Sequence, residues 1–263
     1  MTMPSELLRA LTQTAWDAGK ILMRHYAAGV EVRQKDDHSP VTAADEDAEA
    51  FILASLKTIA PDIAVIAEEE EAAGRSQTIG ARFFLVDPLD GTKEFINRNG
   101  EFTVNIAEIE NGVPVRGVVY APAKARMFAG ESPVGAWEMA IDVNTTPDWA
   151  KAKPIRTRTP DADGMVAVAS RSHRDSKTDE YLAHYHVKAF VTAGSSLKFC
   201  LVAAGEADIY PRHGRTMEWD TGAGHAVLAA AGGTVTRLDG SPFRYGKTGE
   251  NYANPFFVAK GKA

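Results

Sequence analysis

Two aspartates, Asp87 and Asp90, follow directly on the apolar run 82–86, with a proline between them. Side chains three residues apart around such a turn can converge on one point, where two carboxylates repel each other unless a proton or a cation neutralises them. Hard divalent cations prefer oxygen ligands of this kind. Gly91 and Thr92 come next, and their backbone N–H groups could cradle a phosphate if a helix begins there. The segment predicts a metal or phosphate site, although Asp-Pro and Asp-Gly are also common in surface turns.

Other acidic residues stand where secondary-structure elements are expected to begin or end. The run 68–71 consists of four glutamates after the short apolar run 64–67, and sheet proteins tend to place ligand groups at strand ends. Most of these glutamates must nevertheless face solvent. Asp220 precedes an apolar helix and Asp45 falls in the first turn of another, so each is either a helix cap or a ligand directed by the helix start.

The apolar pattern of the first half predicts helices followed by β-hairpins. Apolar residues recur at helical spacing up to Gly29, and Thr42 is a candidate N-cap for a second helix. Strands are expected where short apolar runs are bounded by turn or charged residues. The predicted elements are helices at 5–27 and 43–59, strands at 30–33, 64–67 and 82–86, and hairpins at 104–120 and 127–139.

The second half alternates strands and helices after a proline-containing segment. Residues 144–164 carry three prolines among polar residues, which is typical of a connector or an exposed loop. We therefore predict an N-terminal α+β lobe over 1–150 and a C-terminal α/β lobe over 151–263, acting together as one unit. The elements expected after the connector are 165–169, 175–183, 188–191, 196–204, 207–210 and 221–231, the last a buried helix with the small residues Gly222, Ala223 and Gly224.

Composition excludes several classes of protein. With 44% apolar and 24% charged residues in a chain of 263, the sequence is typical of an ordered globular protein. The net charge of −6 argues against a protein that binds nucleic acid polymers. Cys200 is the only cysteine, which excludes an intrachain disulfide and a cysteine-based zinc site. Because no stretch is typical of a signal peptide or a transmembrane segment, we expect a cytoplasmic protein, with peripheral contact at the cytoplasmic face of the inner membrane left open.

Four segments, in this order, resemble the inositol monophosphatase superfamily of lithium-sensitive, magnesium-dependent phosphatases. They are SPVTAAD at 39–45, the acid pair Glu68 and Glu69, DPLDGTKEF at 87–95 and WDTGAGHA at 219–226, and the resemblance extends over nearly the whole chain. It implies the fold of that superfamily, an α/β sandwich in which helix layers alternate with sheet layers. It also implies that the N-terminal lobe carries most metal ligands, and the C-terminal lobe the last metal ligand and the substrate contacts.

The same resemblance implies two or three Mg²⁺ ions. Asp87 would bridge two ions, with Glu68 and the Leu89 carbonyl completing one site and Asp90 with Asp220 completing the other. A third, weaker ion would lie near Glu68. Two bridged ions suit the hydrolysis of a phosphate ester by a metal-activated water, for which no protein nucleophile is required.

The catalytic residues implied by the resemblance are Asp45, Thr92 and Glu68. Thr92 matches the superfamily's threonine that is partnered by an aspartate, here Asp45. It would orient or deprotonate the attacking water.

Residues outside the metal site point to a nucleotide with two phosphates. SRSH at 170–173, GSSLKFC at 194–200 and YPR at 210–212 are similar to the superfamily's bacterial 3′(2′),5′-bisphosphate nucleotidases. The stretch before Asp220 carries cations where inositol-preferring relatives carry an acid, and such side chains could grip a second phosphate. The substrate contacts implied are Gly91, Thr92, His173, Ser195, Lys198 and Arg212.

Some of these residues have simpler interpretations. Lys198 could be a surface lysine whose ammonium group reaches solvent, Arg212 could pair with a glutamate, and His173 could be a solvated loop residue. Three hypotheses therefore stand. In the first, the chain hydrolyses adenosine 3′,5′-bisphosphate to AMP and phosphate, which the resemblance implies would remove a by-product of sulfate assimilation. In the second, it is an inositol monophosphatase with broad sugar-phosphate tolerance. In the third, it is a noncatalytic protein that binds nucleotides through a metal. The expected partner is a small phosphorylated molecule, and the expected state is a monomer or a homodimer.

Overall fold

The computed structural model describes residues 3–29, 32–34, 40–170 and 176–262. Two helices lie near the start of the chain, α1 at Glu6–Ala28 and α2 at Ala43–Ile59, and both agree with the prediction. The Ser5 side chain caps α1, and Gly29 ends it with a backbone φ of +83°, a region that favours glycine. Thr42 caps α2, as predicted.

A two-stranded pair, a larger sheet and two short helices are also built from this part of the chain. In chain order they are β1 Val32–Gln34, β2 Pro40–Thr42, β3 Ala64–Ala67, α3 Glu68–Ala72, β4 Arg82–Asp90, α4 Thr92–Ile96, β5 Thr103–Glu110, β6 Val113–Ala121, β7 Arg126–Glu131, β8 Gly135–Ala140 and β9 Lys153–Ile155. Among the described residues, β3 to β9 form one seven-stranded sheet in sequential order. β3 and β4 are parallel and the later neighbours antiparallel, so both predicted hairpins are confirmed.

Strand β9 was not predicted. It lies inside the segment 144–164, for which we expected a connector or an exposed loop, and it pairs with β8. Lys153 and Pro154 are exposed, so no buried apolar pattern marks the strand in the sequence. The division of the chain near residue 150 stays a prediction.

The remaining elements form a second sheet and three helices. They are β10 Met165–Ser170, α5 Ser176–Leu182, β11 Val187–Ala193, α6 Leu197–Ala203, β12 Ile209–Arg212, α7 Glu218–Ala230, β13 Thr234–Arg237 and β14 Phe257–Lys260. In the described part of the chain this sheet has five strands, in the order β11-β10-β12-β14-β13. Strands β13 and β14 were not among the predicted elements.

Helices and sheets alternate as layers. The apolar faces of α1 and α2 pack on one side of the seven-stranded sheet. Helices α6 and α7 lie between its other side and the five-stranded sheet, and α5 covers the outer face of the latter. The predicted layered α/β sandwich is therefore confirmed. Among the described helices, none combines the length and apolarity needed to cross a membrane.

Helix α7 can lie close to the larger sheet because the residues in contact are small. Gly222, Ala223 and Gly224 are buried in this helix, as predicted. On the sheet, Gly117 faces the helix so closely that a Cβ atom there would come within 2.5 Å of the carbonyl oxygen of Ala223. The start of α7, which carries Asp220, is fixed against β5 and β6 by this packing.

Candidate active site

A cavity of about 930 Å³ lies where the ends of β3, β4 and β12 meet the first turns of α4, α6 and α7. We call it the acidic cavity, and most of the residues predicted to act in the site line it. They are Glu68, Asp87, Leu89, Asp90, Gly91, Thr92, Ser195, Lys198, Arg212 and Asp220. Asp45 lies behind Thr92 within hydrogen-bond distance, whereas His173 is outside the described residues.

A β-bulge in β4 brings two of the acids to the same side. Asp87 pairs with Asn105 of β5 and Asp90 pairs with Thr103, so three steps along β4 match two along β5. In a regular strand, residues three apart point to opposite faces of the sheet. The extra residue of the bulge shifts that alternation, and both carboxylates line the acidic cavity.

Each of the three aspartates in the cavity uses one carboxylate oxygen to accept a backbone hydrogen bond. The donors are Leu89 N to Asp87 Oδ1 (3.0 Å), Ser196 N to Asp90 Oδ2 (2.7 Å) and Met217 N to Asp220 Oδ2 (2.9 Å). The second oxygen of each accepts no hydrogen bond from the described residues. These three oxygens are therefore available to a cation.

Asp220 lies inside α7, whereas the sequence predicted that it would precede the helix. The helix begins at Glu218, because Glu218 and Trp219 are buried and continue the helical packing, so Asp220 is the third helical residue. Its carboxylate closes a hydrogen-bonded box with Met217 at the helix start. An acid in the first turn is also favoured by the helix dipole.

Loss of hydration and mutual repulsion raise the pKa values of these carboxyls. Asp87 is 1% exposed, and its burial together with the charges of Glu68, Asp90 and Asp220 raises its pKa well above the usual range. Burial and the charges of Asp90 and Glu68 raise the pKa of Asp220 in the same way. Burial raises the pKa of Asp90 to about 6, and the charge of Lys198 opposes this shift. A divalent cation would relieve the repulsion.

The side chain of Thr92 connects the cavity to α2. Its hydroxyl lies 3.2 Å from Asp45 Oδ1 and 3.3 Å from the Leu89 carbonyl oxygen, and its single hydrogen can be donated to either. The other Asp45 oxygen accepts hydrogen bonds from the backbone N–H and the hydroxyl of Thr42, both at 2.7 Å. Asp45 is therefore oriented by the helix cap it belongs to, with one oxygen aimed at Thr92.

Two cationic side chains face the acids across the cavity. Lys198 is 6% exposed, and burial together with the charge of Arg212 lowers its pKa to about 8, against the opposing effect of Asp90. The alternative of a solvent-reaching lysine is therefore wrong, because α6 lies between the two sheets and most of its side chains are buried. No described glutamate pairs with Arg212, whose buried Nε atom has no hydrogen-bond partner among the described residues. The glutamate alternative is thus also wrong within the described chain.

Ser195 uses its side chain to join two segments of backbone. Its hydroxyl oxygen lies 2.7 Å from the Asp90 carbonyl oxygen and 2.8 Å from that of Glu101. The predicted substrate contact at Ser195 stays a prediction, as do the roles of the other residues of the cavity.

Comparison with known proteins decides the family. The family model described as "Inositol monophosphatase family" matches residues 3–261. The chain belongs to the inositol monophosphatase family. A protein of Salmonella typhimurium named 3'(2'),5'-bisphosphate nucleotidase CysQ is 46% identical over 254 residues, which cover 95% of this chain and 98% of that protein. The protein of the same name from Escherichia coli (strain K12) is 45% identical over 253 residues, again 95% of this chain and 98% of the relative.

Solved structures of the inositol monophosphatase family share the fold. A crystal structure of CysQ from Bacteroides thetaiotaomicron is 38% identical, covers 98% of this chain and 97% of its own, and superposes with a TM-score of 0.80. An IMPase from Thermotoga maritima, 24% identical, covers 95% of this chain and 90% of its own with a TM-score of 0.76, which shows the fold alone. The predicted family and the predicted likeness to its nucleotidase branch are confirmed.

The donor atoms of this inositol monophosphatase family member suit Mg²⁺. The predicted ligands are carboxylate and carbonyl oxygens only, the set that Mg²⁺ prefers over softer ligands. In the described part of the chain, no group of three or more His, Cys, Asp or Glu side chains is already arranged to hold a metal ion. Mg²⁺ does not require such a group, because it is usually bound through one or two carboxylates together with waters and substrate phosphate. The residues present therefore fit the ion.

A buried acid that was not predicted from the sequence holds the start of the glutamate run 68–71. The buried Glu49 of α2 accepts hydrogen bonds from Glu69 N (2.8 Å) and Glu70 N (2.9 Å), which fixes the start of α3. Glu49 follows Asp45 by four residues, a spacing that puts two side chains on one helix face. This spacing is the feature of the sequence that could have indicated Glu49. Glu68 and Glu71 of the run line the cavity.

Proposed function

We propose that the chain is a Mg²⁺-dependent 3′(2′),5′-bisphosphate nucleotidase that hydrolyses adenosine 3′,5′-bisphosphate to AMP and phosphate. The observation that carries the proposal is the meeting of three aspartates, Asp87, Asp90 and Asp220, with Lys198 and Arg212 around one cavity. The acids suit divalent cations, and the basic side chains suit a phosphate group beyond the one that is cleaved. The relatives named 3'(2'),5'-bisphosphate nucleotidase CysQ support the same substrate class.

The metal ligands are proposed in two sets. Glu68, Asp87 and the Leu89 carbonyl oxygen would hold one ion, and Asp90 with Asp220 would hold a second, Asp87 being shared between them. A third ion would lie near Glu68. Bound Mg²⁺ supplies positive charge that stabilises developing negative charge on phosphate oxygens and lowers the pKa of water.

The protein's own groups orient the water and its proton. When the Thr92 hydroxyl donates its hydrogen to Asp45 Oδ1, the lone pairs of its oxygen face away from the carboxylate. In that state the oxygen would accept a hydrogen bond from the attacking water and orient it, which is the role proposed for Thr92. Asp45 sets the direction of the threonine hydroxyl and is in turn fixed by Thr42.

Substrate choice is proposed to lie with the basic side chains. Arg212 has an unpartnered, buried Nε donor among the described residues, and a guanidinium group can bind a phosphate through two parallel hydrogen bonds. Lys198 adds a buried positive charge. Gly91, Ser195 and His173 remain proposed substrate contacts.

A release assay tests the proposal directly. Phosphate release from adenosine 3′,5′-bisphosphate and from inositol 1-phosphate is compared with Mg²⁺, with a chelator and with Li⁺. We expect release that requires Mg²⁺, prefers the nucleotide and is inhibited by submillimolar to millimolar Li⁺. The variant Asp90→Asn should fold and lose turnover. Preference for inositol 1-phosphate would support the broad sugar-phosphatase hypothesis, and tight nucleotide binding without any release would support the noncatalytic one. The cytoplasmic location and the state of monomer or homodimer stay proposals.

A further inference from the structure

Two polar residues of β5 stand directly opposite the acids of β4. In the register of the sheet, Asn105 pairs with Asp87 and Thr103 pairs with Asp90. Asn105 and Thr103 are two residues apart, so their side chains lie on the same face of the strand. Both are fully buried, with 0% of their surface exposed. An apolar pair would be expected in such a position unless the polar groups have partners.

The hydrogen bonds of Asn105 fix the orientation of its amide. The Thr103 hydroxyl donates to Asn105 Oδ1 at 3.0 Å, so the carbonyl side of the amide faces Thr103. The NH₂ group then faces the other way, with Nδ2 3.2 Å from Asp90 Oδ2 and 3.1 Å from Ser196 Oγ. Each of its two hydrogens has one acceptor.

Ser196 closes the network and joins two of the proposed metal ligands. Its backbone N–H donates to Asp90 Oδ2 at 2.7 Å, and its hydroxyl donates to the Asp220 carbonyl oxygen at 2.5 Å. Asp90 Oδ2 thus receives two donors, from Ser196 and from Asn105. Asp90 Oδ1 receives none from the described residues, and it is the oxygen left to a cation.

We infer that Asn105, held by Thr103 and Ser196, is a positioning residue that fixes the Asp90 carboxylate with Oδ1 toward the acidic cavity. The inference rests on the proposed function, because it assumes that Asp90 binds a metal ion. Hydrogen-bond partners of metal ligands fix the ligand's orientation, and their loss typically weakens metal binding about 10–100-fold. Neither Asn105 nor Ser196 lines the acidic cavity, so both would act on the ion through Asp90 and Asp220.

The test measures metal binding without substrate. Mn²⁺ or Mg²⁺ affinity is determined by calorimetric titration of the wild type and of Asn105→Leu, which keeps a similar volume but lacks the amide. We expect affinity about 10–100-fold weaker for Asn105→Leu. Thr103→Val and Thr103→Ser form a matched pair, since valine keeps the shape without the hydroxyl and serine keeps the hydroxyl without the methyl group. Thr103→Val should weaken binding and Thr103→Ser should not.

The control is Thr12→Val, which removes a buried hydroxyl that donates to the Leu8 carbonyl oxygen within α1, outside the acidic cavity. Its metal affinity should equal that of the wild type. If Asn105→Leu does not fold, as judged by circular dichroism, the Thr103 pair decides. The inference would be overturned if Asn105→Leu bound the metal ion with wild-type affinity. It would also be overturned if Thr103→Ser lost metal affinity while Thr103→Val kept it. A wild type that neither binds Mg²⁺ nor releases phosphate would instead refute the proposed function itself.

Discussion

Gly130 of β7 lies directly beneath Val227 of α7. A Cβ atom built on Gly130 would come within 2.6 Å of the Cα atom of Val227, a distance that real side chains do not adopt. The backbone of the helix therefore rests on the backbone of the sheet at this point. The same helix carries Asp220 in its first turn, so this contact is one of those that hold α7 against the sheet.

Adding a methyl group at this contact should destabilise the protein. For Gly130→Ala we expect a loss of about 1–3 kcal/mol in the free energy of unfolding, the usual cost of overpacking a core. Urea unfolding followed by circular dichroism measures it. Gly80→Ala is the control, because a Cβ atom at Gly80 meets no atom within 4 Å, and its effect should stay within about 0.5 kcal/mol. Equal stability of the two variants would contradict the packing argument.

The hydroxyl of Thr92 should control turnover and not folding. Thr92→Val keeps the shape of the side chain and removes the group that connects to Asp45, so we expect kcat to fall by about 10²-fold or more. Thr92→Ser keeps the hydroxyl and should remain within about tenfold of the wild type. Steady-state phosphate release at saturating Mg²⁺ measures both. As a control, Thr58→Val on the exposed side of α2 should leave kcat unchanged. A wild-type kcat for Thr92→Val would exclude the proposed role of the threonine.

Much of the fold could be predicted from the sequence because the pattern of burial is regular. The helix 43–59 was predicted with the bounds that the structure has, since Thr42 and Pro61 mark its ends. Strand β9 could not be predicted, because it is short, contains a proline and buries little apolar surface. The start of α7 was placed too late, because the sequence gives no sign that Glu218 is buried and paired with Lys247.

The site was only partly predictable for a different reason. The sequence shows Asp87 and Asp90 as acids at a strand end and Asp220 as an acid near a helix start, and the resemblance to a family assigned Asp220 to the metal site. The contacts of Asn105 and Ser196 with Asp90 could not be predicted. A polar residue within an apolar strand, or within a motif at a helix start, does not indicate its partner until the tertiary structure is known. Contacts between residues far apart in sequence, such as Ser196 with Asp90, follow from tertiary structure alone.

Specificity for a second phosphate should depend on the two basic side chains. For Arg212→Ala and Lys198→Ala we expect kcat/KM for adenosine 3′,5′-bisphosphate to fall by about 10–100-fold, the value of one charge-assisted hydrogen bond. The same constant for inositol 1-phosphate should change far less, since that substrate has no second phosphate. Arg237→Ala, an exposed arginine of β13, serves as the control. Equal losses on both substrates would show that the cations serve the metal site and not the second phosphate.

Part of the loss of folding stability at acidic pH should arise from His225 on α7. The residue is 8% exposed, and its Nδ1 atom lies 3.0 Å from the Tyr245 hydroxyl. Burial together with the charge of Arg244 lowers its pKa to about 3 from the ordinary 6.5. Between these two values the unfolded chain binds a proton that the folded chain does not, so stability falls as the pH falls below 6.5. At pH 5 the loss from this residue should be about 2 kcal/mol.

The variant His225→Gln keeps a hydrogen-bond acceptor for Tyr245 and removes the titrating group. Between pH 7.5 and pH 5 we expect the wild type to lose about 2 kcal/mol more than this variant, measured by urea unfolding in the presence of a chelator. Tyr245→Phe removes the hydrogen bond and leaves the histidine, so it should lower stability by a similar amount at both pH values. A gap between wild type and His225→Gln that is the same at the two pH values would mean that His225 is not the group that gains the proton on unfolding.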